Sequence, residues 1–579
     1  MGIRGVLVRG ALSAAIACGL VAIDMGRSRS VLSAEYLQIG IGLFSLSVPI
    51  DALETFAETG QVPEELDSYF DYLPDRAQSQ FREVLQRQFE VSPVAVSQVS
   101  YSSIGEDFLN RLGKIVQTPS GLNGKKAIRA ALILAAAEPE GFSVLKILES
   151  FPTTGIHIDV GELLDLQSEI ASYFSYRDAT LEAVRQQAER EIAAMDSSVN
   201  WDEVPDLTKR GRFNFDQTTL ELQNEFSGIS AESPRIFEVD LYIPQNVSAR
   251  RLPFVVISHG LGSSREEFAS MAAHLASYGF AVAVPEHPGS NIQYQQEFLA
   301  NLSYEGIDPL EFIYRPWDIK TLLNTLAADP SYAQMLDLDD VGVIGHSFGG
   351  YTALALAGSP LNLDRIRASC DPVQYVLNFS TLLQCRADQL PISDYDLSDE
   401  RIGAVMAYSP VTSLLLGPES MAAIDVPVMI IAASSDFVAP AIPEQIHPFI
   451  WLETREKFLA TFVPASHVSI NGEVDFPDQV DLSPQVASLL TGPAPELSTD
   501  YAHALNVAFM SVYITEQSTY ETFLGAGYAR EFLSEPPIAL QVISRLTADQ
   551  LREAFGGEPP IPIYPEPTEA EPSFEKSSF

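Results

Sequence analysis

Gly345-His346-Ser347-Phe348-Gly349 follows the apolar run Val341-Gly342-Val343-Ile344 and precedes Gly350-Tyr351-Thr352-Ala353-Leu354-Ala355-Leu356-Ala357. The order predicts a short buried strand, a turn of the form G-x-S-x-G and an Ala/Leu-rich helix. Small residues around the serine let the backbone bend sharply, so its hydroxyl stands clear of the strand end with a helix N-terminus behind it. A serine hydroxyl is a poor nucleophile until a base takes its proton, and the base needs a carboxylate to orient it. Asp436, in Ala-Ser-Ser-Asp436-Phe-Val-Ala-Pro, follows a predicted strand over 428–432. His467, in Phe462-Val-Pro-Ala-Ser-His467-Val-Ser, follows one over 459–463. Ser347, Asp436 and His467 are thus in the chain order that acyl transfer through a covalent intermediate requires when each partner sits on a loop at a strand's C-terminal end. The other histidines are placed otherwise. His259, His274, His287 and His346 precede the serine, His157 falls in a helical region, His447 inside a predicted helix, and His503 at the start of a later one. Asp425 precedes its strand, at the wrong end of the sheet.

Acyl transfer also needs two donors aimed at the tetrahedral oxyanion. One is the backbone N–H after the nucleophile, that of Phe348. The other belongs to the loop Ser258-His259-Gly260-Leu261-Gly262-Ser263-Ser264, where the N–H of Leu261 is the candidate. The same loop also reads as a Gly-rich turn capping the next helix.

These residues need a scaffold, and the periodicity supplies two regions. From residue 35 to 196 amphipathic helices are predicted: 51–58 stopping at Gly60, a second opening at Pro63 and closing at Pro74, then 81–89, 108–116, 127–137, 145–151 and 181–195. Within this mainly α-helical N-terminal domain, Leu37-Gln-Ile-Gly-Ile-Gly-Leu-Phe alternates like a strand. From about residue 200 strands and helices alternate, which predicts an α/β sheet domain over 197–555. Strands are expected at 236–243, 254–258, 280–284 and 402–407, with helices at 268–278 and 317–328. The segment 359–400, which holds Cys370 and Cys385, is too long for a simple connection and is expected to be a cap or lid. Residues 556–579, rich in Pro and Glu, read as a disordered tail.

The chain has 579 residues, 46% of them hydrophobic, with a mean hydropathy of +0.07, as a folded protein of two domains would. Its formal charge of −42 excludes nucleic-acid binding, because nothing neutralises phosphates. Arg4 and Arg9 ahead of the apolar stretch 11–23 predict a signal peptide over 1–34, cleaved after Ser33-Ala34, and hence export to the periplasm or the outside. The alternatives are an uncleaved anchor and a lipid-bearing Cys18. No transmembrane segment is expected once the signal is removed. Cys370 and Cys385 are natural disulfide partners in an exported protein and two free thiols in a cytosolic one. Two cysteines are too few for a metal site, and no metal or cofactor is called for.

His-Gly-Leu-Gly at 259–262, Pro285-Glu286-His287-Pro288-Gly289-Ser290 and Gly-His-Ser-Phe-Gly-Gly at 345–350 together resemble the platelet-activating-factor acetylhydrolase group of serine lipases. Elements are shared with dienelactone hydrolases and cutinase-like polyesterases. With the helical region in front, the chain resembles more closely a family of exported bacterial hydrolases whose helical module is a domain of unknown function. Residues 132–141, Arg315-Pro316-Trp317-Asp318 and Cys385-Arg386-Ala387 are similar to that family's patterns. The resemblance implies an α/β-hydrolase fold, Ser347, Asp436 and His467 as triad, and oxyanion N–H groups from Leu261 and Phe348. Dienelactone hydrolases proper use a cysteine nucleophile, and this chain has a serine there. The expected activity is hydrolysis of short-chain or lipid esters. An amidase, peptidase or acyltransferase on the same residues is the alternative, as is a non-catalytic scaffold whose helical domain binds a partner.

Overall fold

The computed structural model describes residues 33–565, apart from 42–43, 72–73, 90, 139–140, 196–199, 202–203, 225–233, 302–304, 371–377, 392–394 and 470–489. The leader over 1–32, with Cys18, and the tail beyond 565 lie outside the described residues. Two compact units divide the chain: Met1–Ser97 with Leu112–Leu163, and Gln98–Arg111 with Leu164–Phe579. The helix Val160–Ala194 runs through that division, so most of it belongs to the second unit, whereas the sequence placed the change at residue 196.

The first unit is not purely helical. Strands β1 (Tyr36–Ile41) and β2 (Phe44–Pro49) pair antiparallel, and β3 (Gln88–Phe89) and β5 (Phe142–Ser143) form a two-stranded ladder. The short β4 (Val116–Gln117) and β6 (Gly155–Asp159) complete a sheet in the order β2-β1-β6-β4. The alternation at Leu37 to Phe44 is therefore a strand pair. The helix expected over 81–89 ends at Gln86, because Gln88 and Phe89 are used by the ladder, and His157 lies on a strand. Helix Ile50–Thr59 stops at Gly60, whose φ of 72° is the left-handed conformation a glycine enters without a Cβ penalty. Its last carbonyls are taken by Arg82, which donates to the oxygens of Ala57 and Glu58 at 2.9 Å.

The second unit is built on a nine-stranded sheet. Its strands are β7 (Phe215–Asn224), β8 (Arg235–Pro244), β9 (Leu252–Ser258), β10 (Ala281–Pro285), β11 (Leu336–His346), β12 (Ile402–Tyr408), β13 (Val428–Ala433), β14 (Lys457–Val463) and β15 (Ala539–Ile543). Their order is β15-β14-β13-β12-β11-β9-β10-β8-β7. The six strands from β14 to β10 are parallel; β15 pairs antiparallel with β14 at one edge, and at the other β8 pairs antiparallel with β10 and β7 antiparallel with β8. Both faces of the central strands are buried. Phe254 and Val256, Val341 and Val343, and Val428 and Ile430 enter one core, while Val255 and Ile257, Ile344, and Met429 and Ile431 enter the other. That is why these strands read as continuous apolar runs, and why helices must cover each side. The fold is an α/β-hydrolase fold with a helix-containing region ahead of it.

The segment 359–400 forms helices Leu363–Ser369 and Ser380–Gln384 and a 3₁₀ turn Cys385–Gln389, and Cys370 is joined to Cys385. Leu382 and Leu383 of this segment, expected to be a cap or lid, are both buried, Leu383 within the hydrolase core beside Ala387, Leu390 and Leu397. Residues 556–565 correct the reading of a disordered tail from 556 onwards. Ile563 is buried, its carbonyl accepts from Trp451 Nε1 at 2.6 Å, and Arg365 Nη2 donates to the carbonyl of Pro565 at 2.5 Å. Aromatic and guanidinium donors thus hold a proline-rich segment whose composition alone resembles a solvated one.

Candidate active site

Ser347 stands between β11 and the helix Phe348–Leu356 with φ 56° and ψ −115°, a strained conformation for a residue with a side chain. Its N–H donates to the carbonyl of Tyr408 at 2.8 Å, and its own carbonyl accepts from Gly350 and Tyr351. The surrounding glycines are required by close approach. A Cβ on Gly345 would meet the oxygen of Gly349 at 2.0 Å, and one on Gly349 would meet the oxygen of Ser258 at 2.0 Å.

Ser347, His467 and Asp436 form one hydrogen-bonded chain. His467 Nδ1 lies 2.7 Å from Asp436 Oδ2, and His467 Nε2 lies 2.9 Å from Ser347 Oγ. The carboxylate only accepts, so Nδ1 carries the hydrogen and the Nε2 lone pair faces the serine hydroxyl. The loops holding them are fixed independently. Asp436 Oδ1 accepts from the N–H groups of Val438 and Ala439 at 2.9 and 2.8 Å, and Oδ2 also accepts from Gln445 Nε2 at 3.1 Å. The N–H of Ser435 donates to the carbonyl of Ala465 at 2.8 Å, which ties the acid loop to the base loop. All three side chains are largely buried.

Two supporting residues were not singled out in the sequence. Gln445 pins the acid loop by donating also to the carbonyl of Ala439 at 2.6 Å and accepting from the N–H of Ala433 at 3.0 Å. His346 donates Nε2–H to the carbonyl of His467 at 2.8 Å, and burial pushes its pKa down to about 3, so it stays neutral. The only signal for His346 was its place as the variable residue of G-x-S-x-G. Glu444 is a further buried carboxylate that accepts from Asn378 and Gln384 of the insertion and from the N–H groups of Thr412 and Ser413.

The loop after β9 lies directly against the serine. A Cβ on Gly260 would come within 3.3 Å of Ser347 Cβ, so the backbone that carries Leu261 passes beside the nucleophile. Phe348 is the first residue of its helix, where N–H groups lack intrahelical partners. Gly262, with φ 72°, donates its N–H to the carbonyl of Ser290 at 2.8 Å. A cavity of about 540 Å³ lined by Tyr173, Arg365, Leu414, Pro440, His447 and Trp451, with Ser369 and Asn378 of the insertion on its wall, is a separate feature, since neither the triad nor Leu261 nor Phe348 lines it. Among the described residues no group of His, Cys, Asp and Glu could hold a metal ion, and no helix is long and apolar enough to cross a membrane.

Residues 33–159 match the family described as alpha/beta hydrolase of unknown function (DUF1400), and residues 241–302 match platelet-activating factor acetylhydrolase, isoform II. The platelet-activating factor acetylhydrolase of Canis lupus familiaris is 28% identical over 142 residues, covering 18% of this chain and 32% of that protein. The chain therefore aligns with about a third of the length of that relative. The segment 241–302 contains the loop 258–264 and the stretch 285–290, while Ser347, Asp436 and His467 lie outside both family matches. Fold and matches together make the chain an α/β-hydrolase that resembles the platelet-activating-factor acetylhydrolases.

Proposed function

We propose that the protein is a serine ester hydrolase acting on short-chain or lipid esters. The observation that carries this reading is the hydrogen-bonded chain Ser347–His467–Asp436 at the C-terminal ends of β11, β13 and β14. His467 takes the hydroxyl proton as Ser347 Oγ attacks the ester carbonyl. The N–H groups of Leu261 and Phe348 stabilise the oxyanion. The alcohol leaves with the proton that His467 returns, and an acyl ester on Ser347 remains. Water, deprotonated by His467, then releases the acid and restores the serine. The Cys370–Cys385 bond supports export to an oxidising compartment, where such bonds persist.

A fluorophosphonate probe should label Ser347, and p-nitrophenyl esters of increasing chain length should be hydrolysed in preference to a peptide panel. Ser347→Ala should abolish both while the protein stays folded, since loss of one hydroxyl opens no large cavity. Retention of more than about one per cent of the rate in the purified variant would remove Ser347 as nucleophile, given the usual cost of deleting a triad member.

A further inference from the structure

The Arg315-Pro316-Trp317-Asp318 segment takes no part in the chemistry above, yet each of its residues makes a specific contact around the site. We propose that Arg315 is a positioning residue that aims the two oxyanion donors, an inference that rests on the ester-hydrolase reading.

Arg315 is fully buried on the helix Glu311–Ala328. Its Nη2 donates to the carbonyl of His259, its Nη1 donates to Ser290 Oγ at 2.9 Å, and its guanidinium carbon lies 4.6 Å from the centre of the Phe348 ring. One cation therefore touches both stretches that carry the donors, the loop of Leu261 and the residue Phe348. Ser290 extends the grip. Its hydroxyl donates to Glu311 Oε2 at 2.7 Å, and its carbonyl accepts from Gly262. Gly289 is needed beside it, because a Cβ there would meet Glu311 Oε1 at 2.1 Å.

The direction of the Leu261 N–H follows from the tautomer of His259. His259 Nε2 accepts from the N–H of His287 at 3.0 Å, so the hydrogen is on Nδ1, which donates to the carbonyl of Gly260 at 2.8 Å. In a trans peptide the C=O and the following N–H point in opposite directions. Holding the Gly260 oxygen on His259 therefore turns the Leu261 N–H away from that imidazole. His287 is held in turn: Nδ1 donates to Asp318 Oδ2 at 2.9 Å, and Nε2 accepts from Ser258 Oγ at 3.0 Å. Arg235 closes the array on Glu311 and on Asp318, so the buried Arg315 and the partly buried Arg235 face two buried carboxylates.

The neighbours of Arg315 in the segment serve the same scaffold. Pro316 has no N–H, which leaves the carbonyl of Phe312 free of its usual helical partner, and Tyr351 of the nucleophile helix donates to that oxygen at 2.9 Å. Trp317 Nε1 donates to the carbonyl of Asp396 in the insertion at 3.2 Å. The segment thus joins the oxyanion loop, the nucleophile helix and the insertion through a single turn of helix.

The test compares a p-nitrophenyl ester with its thiono analogue, whose developing charge falls on sulfur, a larger atom and a poorer acceptor for N–H groups placed for oxygen. Arg315→Met should lose on the order of 10²-fold in kcat on the oxygen ester, as removal of one oxyanion donor does, with KM nearly unchanged. The oxygen-to-thiono rate ratio should fall by a similar factor, and Arg315→Lys should recover part of it. Should the Met variant fail to fold, Ser290→Ala, which removes the acceptor of Arg315 Nη1, takes its place. A ratio equal to the parent's in the folded Met or Ala variant overturns the inference, however far both rates drop, because general loosening slows both substrates alike. A parent enzyme that neither takes the fluorophosphonate nor cleaves esters sinks the ester-hydrolase reading and this inference together, whereas an active parent with an unchanged ratio sinks this one alone.

Discussion

His346 donates its Nε2–H to the main-chain oxygen of His467 at 2.8 Å, so the residue before the serine holds the loop that carries the serine's partner. Its ring centre stands 5.0 Å from that of His467, and its Nδ1 is buried close to Gly260. The elbow, the base loop and the oxyanion loop therefore meet on one neutral imidazole. His346→Ala leaves the His467 carbonyl without this donor and the loop free to shift. Steady-state kinetics should show kcat reduced by up to about 10²-fold with KM nearly constant, the usual cost of a misplacement of about 1 Å. An unaltered kcat in a folded variant would deny His346 this role.

Asp436→Asn keeps an oxygen for the N–H groups of Val438 and Ala439 but turns an NH₂ toward His467 Nδ1. The imidazole then favours the tautomer with its hydrogen on Nε2, which cannot accept the serine proton. Activity should fall on the order of 10⁴-fold, as in other triads so altered, with little change in melting temperature. Near-normal turnover would mean that another carboxylate serves the base. Asp399 of the insertion is poorly placed for that, since its oxygens are held by Arg401 at 2.8 and 2.5 Å.

The elbow, the acid and the base were legible because each sits next to a central strand, and central strands of a sheet covered on both sides are near-continuous apolar runs. Edge strands lack that signal. β7, Phe215–Asn224, leaves most of its side chains exposed, and its sequence reads as polar loop. β15 is short and, among the described residues, pairs along β14 alone. The first unit read as helical because β3, β4 and β5 are two residues each, too short to show a period of two. Supporting residues such as Gln445, His346 and Arg315 are ordinary polar side chains without a motif of their own, and the partners of His346 and Arg315 are distant in sequence. Their roles appear only once the chain is folded.

The Cys370–Cys385 bond closes a loop with a sequence separation of 15. In the chain-entropy model such a loop stabilises by about 3 kcal/mol, mainly by restricting the unfolded chain. Cys385→Ser should lower stability by up to that amount in denaturant melts, and reductant should do the same to the parent. Mass spectrometry of unreduced protein should find no alkylatable thiol at either position. Two free thiols there would remove the bond and with it one support for export.

Acid should unfold this protein early, because six of its eight histidines are held neutral by burial. His346, His447 and His503 are pushed down to about 3 and His274 to about 4, while His259 and His287 lie well below their ordinary value. The folded pKa is depressed in every case, so the contribution to stability is complete above the unfolded value of about 6.5 and is lost as pH falls toward the folded values. In that window the unfolded chain binds protons that the native state refuses, and each histidine steepens the loss by up to about 1.4 kcal/mol per pH unit. Seven carboxylates raised by burial, Glu54, Glu169, Glu286, Asp308, Asp318, Asp340 and Asp500, act in the opposite sense, nearer their own range. Denaturant melts should therefore show stability level above about pH 7 and falling steeply by about pH 5, before most carboxylates are protonated. Equal stability at those two values would mean that the buried imidazoles accept protons in place, contrary to their packing.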